Sequence, residues 1–320
     1  MPTIFNWSKT IAELPGNPVP ADWLAANGDG VKVAYIDRGV NLGLASLEHV
    51  NQPGAKFFTG APGFSVAKLT GQDLVGEAFG TEGRGHGTLY ASLLAGKIPA
   101  APPADKDLVN GLANGAKYFI IKARNANDKK TTAKNILDAI ELAGNLKADI
   151  VILGQSISKA QLPFEGLNMA AVDRVFNLPS VQRMFIFAPL KNLEPSDPWA
   201  NIAADNIPNL RAEVFNVARL PVNFESVSSV ITPQNISFML AGFSGKLLSK
   251  NGDAFDMEFS NSGAVAIMGG IAVLALSHFK KQNGGASPTR QQLAQLLATC
   301  CTPLQNASGS QTDPAFFRNF

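Results

Sequence analysis

The chain has 320 residues, of which 46% are apolar and 16% charged, and a chain of this size and composition can bury one large core. This excludes a disordered protein and a small disulfide-stapled one. The 27 Lys and Arg residues nearly balance the 25 Asp and Glu residues, which leaves a formal charge of +2. A dedicated binder of nucleic acid or of anionic membranes would be more basic, so we expect neither a nucleic-acid partner nor a membrane partner.

The N-terminal residues lack the basic start and apolar stretch of a secretory signal peptide. The longest uninterrupted apolar run, residues 263–276, is shorter than the roughly 18 to 20 residues that a membrane span needs. We therefore expect a cytoplasmic protein. Its two adjacent cysteines, Cys300 and Cys301, are expected to be reduced core thiols, because a disulfide between neighbours is strained, and they indicate no metal site.

Short apolar segments alternate with helical patterns along most of the chain, which is typical of βαβ units on a mainly parallel sheet. The segments are rich in β-branched and aromatic residues and show little polar alternation, so we expect strands that are buried on both faces. The pattern therefore predicts an α/β fold. In chain order, strands are predicted at residues 31–36, 117–122, 149–153, 184–188, 214–218 and 237–240.

Apolar residues at helical spacing predict amphipathic helices between and after these strands. The first has Thr131 or Thr132 as its N-cap. The last has Ser287 as its cap, followed by a proline in the first turn. The predicted helices cover residues 133–143, residues 164–176 and the segment after Ser287.

Glycine, proline and asparagine gather in the segments between the predicted elements, where we expect loops. The chain contains no internal repeat and no linker long enough to divide it. We therefore expect a single domain over residues 1–320, with a lead-in at residues 1–22 and a C-terminal tail at residues 306–320. The most prominent predicted loops are residues 60–71, 98–115 and 190–210.

The first candidate functional residue is Asp37, which follows a predicted buried strand. Residues 37–39 read Asp-Arg-Gly, so the strand delivers a carboxylate to its C-terminal end and the glycine permits a sharp exit. Open α/β sheets place their sites just outside these strand ends. The competing interpretation is an aspartate that only caps a turn.

The second candidate is His86, which stands at the start of a helix of small residues. Residues 83–88 read Gly-Arg-Gly-His-Gly-Thr. The positive end of the helix dipole disfavours an imidazolium there, which favours a neutral ring that can act as a base. A phosphate-binding loop is the competing functional interpretation, although the Gly-Lys-Ser/Thr ending of a P-loop is missing. The other histidines, His49 and His278, are interpreted as a loop residue and a helix-end residue.

The third candidate is Ser262, at the start of a helix that is too apolar and too rich in small residues to face water. Such a helix has to run through the core. A serine in this place usually serves only as an N-cap. The same geometry suits a nucleophile, because the N–H groups and the dipole at a helix start stabilise a developing oxyanion.

The three candidates follow one another in the order Asp, His, Ser, which is the order of the subtilisin triad. The sequences around them resemble the aspartate, histidine and serine motifs of the subtilisin-like serine proteases, the subtilase or peptidase S8 family. Further segments resemble those of the family in the same order, so the resemblance covers about residues 20–305. The matching segments are residues 30–40, 86–96, 110–117, 148–156, 185–192, 239–244, 260–262 and 287–303.

This resemblance implies a subtilisin-like, three-layer α/β/α fold and a serine endopeptidase that acts on polypeptides. By the family pattern, Ser262 would attack the scissile carbonyl, His86 would take and return its proton, and Asp37 would hold the imidazole tautomer. Asn192 would complete the oxyanion hole with the Ser262 backbone N–H; the alternative is a turn asparagine. One wall of the S1 pocket is implied at Gly154, Gln155 and Ser156.

Several residues depart from the family pattern, and none of them removes a reacting group. Arg38 stands where the family has a small hydroxyl residue, and a guanidinium beside Asp37 would lower the pKa of that carboxyl and draw it away from His86. The other departures reshape the pocket walls, so no side-chain preference of the substrate follows. They are Leu89, Tyr90, Gly154, Gln155, residues 189–191, Gly263 and Ala266.

The resemblance also bears on cofactors and control. Secreted members of the family carry structural calcium, but nothing in this sequence predicts a metal site. We therefore expect no required cofactor and no metal site. Only thirty residues precede Val31, too few for the prodomain of secreted members, so we expect prodomain-free folding or control by an external activator or inhibitor protein. Two alternatives to an active endopeptidase stay open: a catalytically weak or inactive binding or regulatory protein, and a peptide ligase or cyclase on the same triad.

Overall fold

A mainly parallel sheet of nine strands forms the centre of the described structure. Its inner strands are short runs of β-branched and aromatic residues that are buried on both faces, as in sheets covered by helices on two sides. The computed structural model of the chain describes residues 3–13, 19–52, 54–58, 85–123, 131–157, 159, 161–190, 214–219, 237–240, 244–257, 260–305 and 311–317.

The strands of the described residues are numbered here in chain order. They are β1 (Ile4–Asn6), β2 (Lys32–Asp37), β3 (Lys56–Phe58), β4 (Leu108–Asn110), β5 (Lys117–Lys122), β6 (Ile150–Leu153), β7 (Phe185–Pro189), β8 (Val214–Arg219), β9 (Phe238–Leu240), β10 (Lys246–Leu248), β11 (Ala254–Asp256), β12 (Thr302–Gln305) and β13 (Gln311–Phe317). The large sheet has the order β12-β13-β9-β8-β7-β6-β2-β5-β3. Its neighbours pair in parallel except β12 and β13, which are antiparallel.

Helices cover both faces of this sheet, so the fold is a three-layer α/β/α sandwich. They are α1 (Trp7–Ala12), α2 (Ala21–Ala26), α3 (His86–Ala95), α4 (Ala133–Asn145), α5 (Gln161–Phe164), α6 (Met169–Phe176), α7 (Pro179–Gln182), α8 (Asn261–Gln282) and α9 (Arg290–Ala298). Residues of α3 and α8 share one hydrophobic cluster with one face of the sheet, and residues of α4 and α6 share a second cluster with the other face. Because successive strand residues point to opposite faces, Tyr35 lies in the first cluster and Ile36 in the second.

Helix α8 runs through the core. Its residues from Asn261 to Ser277 are buried, and it contacts β6, β7 and β8 as well as α2 and α3. It is longer than the apolar run counted in the sequence, because polar residues continue it at both ends. By length and composition it could cross a membrane, since its most apolar window has a mean hydropathy of 1.7. However, 83% of that window is buried inside the protein, which is the environment of a core helix.

Residues from both predicted end segments take part in this architecture. In the predicted lead-in, β1 pairs with β4, and Trp7 is fully buried with its indole N–H donating to the Lys246 carbonyl at 2.9 Å. In the predicted tail, residues 311–317 form β13 between β12 and β9. A single domain over residues 1–320 stays a prediction.

Most predicted elements are observed. All six predicted strands are confirmed to within one residue at each end, because continuous apolar runs rich in β-branched residues identify strands buried on both faces. The helix predicted at residues 133–143 is confirmed as α4, with Thr132 as its N-cap. The single helix predicted at residues 164–176 is wrong: the chain forms α5 and α6, and Gly166, with φ +66°, interrupts the helical path between them.

The predicted loops and cysteines can be compared in the same way. Residues 98–115 are not entirely a loop, because they contain β4. Residues 60–71 and 191–210 lie outside the described residues. Cys300 and Cys301 are free and buried, as expected, and burial raises the pKa of both thiols.

The cap of α9 differs from the prediction. Thr289, not Ser287, is the N-cap: its hydroxyl accepts from the Gln292 N–H at 3.2 Å, and the Gln292 side chain accepts from the Thr289 N–H at 2.8 Å. This reciprocal pair is a capping box. Pro288 therefore precedes the cap and does not lie in the first helical turn. Serine and threonine are both good caps, and the glutamine at the third helical position decides between them.

The two capping positions give a matched test. We expect Thr289→Ala to lower the free energy of unfolding by about 1 kcal/mol, because the Gln292 N–H in the first turn of α9 loses its acceptor. We expect Ser287→Ala, an exposed residue outside the cap, to change it by less than about 0.5 kcal/mol. Urea denaturation of both variants measures the difference, and equal effects would contradict the assigned cap.

Candidate active site

The three candidate residues of the sequence lie at one edge of the central sheet. Asp37 is the last residue of β2, His86 the first residue of α3, and Ser262 the second residue of α8. Strand β6 lies next to β2 and ends just before Gly154, which reaches the same edge. Sites in open α/β sheets form at these carboxyl ends, where loops and helix starts converge.

Asp37 and His86 form a hydrogen-bonded pair. The His86 Nδ1 atom lies 2.9 Å from Oδ2 and 3.1 Å from Oδ1 of Asp37. Asp37 is only 2% exposed, whereas the ring of His86 is partly exposed. A carboxylate at Nδ1 favours the tautomer that carries its proton there, which leaves Nε2 as a proton acceptor. The pair therefore has the arrangement of an oriented general base.

Two further donors hold the carboxylate of Asp37. The Tyr35 hydroxyl donates to Oδ2 at 2.6 Å, and the Arg38 backbone N–H donates to Oδ1 at 2.6 Å. Burial raises the pKa of Asp37, but the charge and hydrogen bond of His86, together with the bonds from Tyr35 and the Arg38 N–H, hold this pKa below its usual value. Asp37 is therefore ionised at neutral pH.

Gly87 and Gly154 allow the chain to approach Asp37 closely. A Cβ atom on Gly154 would overlap Oδ2 of Asp37. A Cβ atom on Gly87 would overlap the Gly39 carbonyl oxygen and press on the Cβ of Asp37. The absence of these side chains sets how near the start of α3 and the end of β6 lie to the carboxylate.

Ser262 is not the cap of its helix. Ser260 is the N-cap of α8, and its hydroxyl accepts from the Gly263 N–H at 3.1 Å, so the interpretation of Ser262 as a cap is wrong. Ser262 is 8% exposed, and its hydroxyl donates to the Gly154 carbonyl at 3.2 Å. In the part of the chain that the structure describes, no hydrogen bond joins Ser262 to His86. The serine instead bonds to Gly154, the residue that lies close to the carboxylate of Asp37.

Tyr90 connects the histidine helix to the serine helix. Its ring meets the His86 ring edge-on, with centroids 5.0 Å apart and planes at 72°. Its hydroxyl lies 2.8 Å from the Ser260 Oγ atom, the cap of α8. The relative placement of α3 and α8 is therefore fixed beside the candidate base.

Arg38 and Gln155 contact each other at the rim of the site. With the Gln155 carboxamide oriented by its hydrogen bonds, its oxygen accepts from the Arg38 guanidinium and its nitrogen donates to the Thr131 hydroxyl at 2.9 Å. The expectation that the guanidinium draws Asp37 away from His86 is therefore wrong. The guanidinium is directed at Gln155. Arg38 helps to lower the pKa of Asp37 through its backbone N–H and not through its guanidinium.

The residues expected at the S1 wall follow β6 directly. The Gly154 N–H donates to the Ile36 carbonyl at 2.8 Å, which continues the pairing of β6 with β2, while Gln155 and Ser156 are half-buried. Beside Asp37 lies a space too narrow for a water molecule, which is lined mainly by apolar side chains together with Thr131 and Gln155. Asn192, the expected oxyanion donor, lies outside the described residues.

The remaining histidines have other environments. His278, near the end of α8, has its Nε2 atom 3.3 Å from Oδ2 of Asp22. His49 lies in a 3₁₀ turn, where burial and then the charge of Lys97 lower its pKa. Among the residues that the structure describes, no three His, Cys, Asp or Glu side chains are grouped so that they could hold a metal ion.

Two tyrosines contact the pair: sequence reasoning gave no role to Tyr35 and counted Tyr90 only among the residues that reshape the pocket walls. Tyr35 precedes Asp37 by two residues on a strand, and Tyr90 follows His86 by four residues on a helix. Both spacings place side chains on the same face of their element. That spacing is the signal that could have found them.

Gly154 offers a test of the packing around the carboxylate. We expect Gly154→Ala to lower the free energy of unfolding by about 1 to 3 kcal/mol, because the new Cβ has to displace Oδ2 of Asp37. Gly263→Ala is the control, since its Cβ would meet its nearest neighbour, Tyr90 Cε1, at an ordinary 3.5 Å. Urea denaturation compares the two, and an unchanged stability of Gly154→Ala would contradict the close packing.

Comparison with known proteins places this site in a family. A sequence profile of the subtilase family matches residues 28–188, just over half of the chain. Mycosin-3 of Mycobacterium tuberculosis (strain ATCC 25618 / H37Rv) is 27% identical over 83% of this chain and 62% of its own length. The chain thus spans less than two thirds of that relative.

Solved structures share the fold at low sequence identity. The prenylagaramide maturation protease PagA superimposes with a TM-score of 0.61 at 19% identity, over 93% of this chain and 91% of PagA. A cold-adapted subtilisin-like serine proteinase superimposes with a TM-score of 0.58 at 15% identity, over 98% of both chains. The sheet order, the two helix layers and the family profile agree with one another, and the chain belongs to the subtilase family of proteases.

Proposed function

We propose that this chain is a serine endopeptidase that hydrolyses peptide bonds through Ser262, His86 and Asp37, with Asn192 as a donor of the oxyanion hole. The observation that carries the proposal is the hydrogen bond between the buried, ionised carboxylate of Asp37 and Nδ1 of His86. This bond leaves Nε2 of a partly exposed ring free to accept a proton. Membership of the subtilase family supports the same chemistry.

Acylation uses the nucleophile and the base together. The Ser262 Oγ atom attacks the scissile carbonyl carbon of a bound polypeptide while its proton passes to His86 Nε2. His86 then gives that proton to the leaving amine, the C–N bond breaks and an acyl-enzyme remains. Asp37 stays ionised throughout and stabilises the transient imidazolium.

Deacylation repeats the proton transfers with water. His86 removes a proton from a water molecule, whose oxygen attacks the acyl carbonyl. The proton then passes to Ser262 Oγ as the ester bond breaks, which releases the carboxylic acid product. The enzyme returns to its starting protonation state.

The oxyanion of each tetrahedral intermediate needs donors that are already in place. Ser262 stands at the start of the 22-residue helix α8, so its backbone N–H belongs to the first turn, where N–H groups lack helical acceptors. The helix dipole adds positive potential at the same point. The Asn192 side-chain amide supplies the second donor of the proposed hole.

The serine has to turn before it reacts. Its hydroxyl donates to the Gly154 carbonyl at 3.2 Å, and the proposed reaction requires a rotation about its Cα–Cβ bond that directs Oγ to His86. This orientation also favours a second candidate function, a weakly active or inactive subtilisin-fold protein that binds or regulates a polypeptide. In that case an external activator protein would be needed to bring Ser262 to His86.

An activity-based probe separates the two candidates. We expect a fluorophosphonate to label the wild-type protein at Ser262, because the oriented base raises the nucleophilicity of that hydroxyl. Mass spectrometry of tryptic peptides locates the label, and Ser262→Ala is the matched control. Failure to label under conditions in which a control serine protease reacts would contradict the endopeptidase proposal. It would favour the second candidate, a protein that binds or regulates a polypeptide.

The products separate hydrolysis from ligation. With unlabelled peptide libraries in ¹⁸O water, an endopeptidase gives carboxyl products that carry one heavy oxygen from the solvent. A ligase or cyclase on the same acyl-enzyme gives new amide bonds without that oxygen, because an amine takes the place of water. Mass spectrometry distinguishes the two kinds of product. Products that are entirely ligated would overturn the proposal that the chain is a hydrolase.

The oxyanion donor has a test of its own. We expect Asn192→Ala to lower kcat by about 10²- to 10³-fold with little change in KM, the size of effect known for such a donor in subtilisin itself, because the bond forms in the transition state. Asn177→Ala, at the exposed C-terminal end of α6, is the control. A change in KM alone would place Asn192 in ground-state binding and contradict the role.

A further inference from the structure

Tyr35 directs a buried hydroxyl at the candidate catalytic carboxylate. Its side chain is 1% exposed, and its hydroxyl donates to Oδ2 of Asp37 at 2.6 Å. The two residues are two positions apart on β2, so their side chains lie on the same face of the strand, toward the layer that contains α3 and α8. The hydrogen bond is therefore a product of the strand geometry and does not depend on a flexible loop.

The donors around Asp37 fix its carboxylate on both oxygens. Oδ1 accepts from the Arg38 backbone N–H at 2.6 Å, and Oδ2 accepts from Tyr35. His86 Nδ1 lies within 3.1 Å of both oxygens. Gly154 lies close to Oδ2, which a Cβ atom on this residue would overlap. Rotation of the carboxylate would break the bond to Tyr35 and the bond to the Arg38 N–H at once.

The charged and titratable groups that face Asp37 come from three elements. On β2 itself stands Tyr35, whose pKa is raised by burial first and then by the charge of Asp37, so that it stays a proton donor. On α3 stand His86 and Tyr90, and the latter also contributes to the raised pKa of Tyr35. On β5, the buried Lys122 pairs in register with Asp37.

We propose that Tyr35 is a positioning residue of the active site, whose hydroxyl holds the Asp37 carboxylate in the orientation that aligns the His86 ring. The proposal rests on the proposed serine-peptidase function for its kinetic consequences, but the geometry of the pair exists without it. The Arg38 guanidinium, directed at Gln155, does not supply this bond. Tyr35 contributes a side-chain donor that fixes the orientation of the buried carboxylate.

The kinetic test compares two buried tyrosines. Tyr35→Phe removes the donor to Asp37, whereas Tyr118→Phe removes a buried hydroxyl that donates to the carbonyls of Leu94 and Ala113. We expect Tyr35→Phe to lower kcat about tenfold, as expected for the loss of a hydrogen bond to a charged group, with KM within about twofold. We expect Tyr118→Phe to keep the wild-type kcat. Equal losses in the two variants would overturn the positioning role.

The pH profile gives a readout that a purely structural role would not move. Loss of the Tyr35 donor makes the Asp37 carboxylate more basic, so the Asp37–His86 pair, which titrates as a coupled unit, releases its proton at higher pH. We therefore expect the acid limb of kcat/KM to move to higher pH in Tyr35→Phe and to stay in place in Tyr118→Phe. An unmoved acid limb in Tyr35→Phe would contradict the proposal.

A titration without turnover separates this inference from the proposed function. In the Ser262→Ala background, NMR of ring-labelled histidine follows the protonation of His86 with and without Tyr35→Phe. A shift of the midpoint to higher pH supports the positioning role even if the wild-type protein cleaves no peptide. An unchanged midpoint overturns it even if the wild-type protein is an active peptidase.

A second replacement covers the case in which Tyr35→Phe does not fold. Replacement of Tyr35 by 3-fluorotyrosine keeps the hydroxyl and nearly the same volume but makes the phenol a stronger donor. We expect the midpoint of the pair to move to lower pH, opposite to the effect of phenylalanine. Movement in the same direction as phenylalanine, or none, would overturn the proposal.

Discussion

A charged carboxylate buried at the end of β2 is the constraint on which this edge of the protein depends. Burying an uncompensated ion costs several kcal/mol, so Asp37 requires donors that are fixed before the site can exist. They come from three kinds of local structure: Tyr35 on the same strand face, the Arg38 N–H at the strand exit and His86 at a helix start. The start of α3, which carries His86, and the end of β6 approach the carboxylate closely because Gly87 and Gly154 carry no side chain. The carboxylate of Asp37 can therefore stay ionised only when β2 pairs with β6 and α3 packs against them. Its hydrogen bonds in turn stabilise that packing.

The nucleophile is positioned by a different mechanism, the packing of a long apolar helix through the core. The backbone groups inside α8 satisfy one another, so the helix can be buried along most of its length and only its first turn needs outside partners. Ser260 caps that turn, and its hydroxyl also meets Tyr90, whose ring lies against His86. Ser262 is thereby held one residue inside the helix, at Gly154, where its hydroxyl has a resting partner. The serine helix and the histidine helix are therefore joined beside the pair.

The rim of the site is held by contacts of its own beside the Asp37–His86 pair. Arg38 contributes its backbone to the carboxylate and its guanidinium to Gln155, which is in turn tied to Thr131 at the approach to α4. This arrangement keeps a cation beside Asp37 without disturbing the bond to His86. The side-chain donor on Asp37 comes instead from Tyr35, within the sheet. Arg38 thus joins the pair and the rim, with its backbone N–H on the carboxylate and its guanidinium on Gln155.

The sequence by itself determined six strands of the central sheet, the order of Asp37, His86 and Ser262, and their places at element ends, because apolar periodicity and glycine-rich motifs are local signals. It did not determine the cap of α9, the break between α5 and α6, or the strand formed by residues 311–317, since these depend on competing local bonds or on distant partners. Only the tertiary structure decided which groups surround Asp37. The direction of the Arg38 guanidinium, the bond from Tyr35 and the turn of Ser262 toward Gly154 all depend on packing between elements that are far apart in the chain. Sequence spacing can place two side chains on one face, but their distance across the sheet is set by how the layers pack.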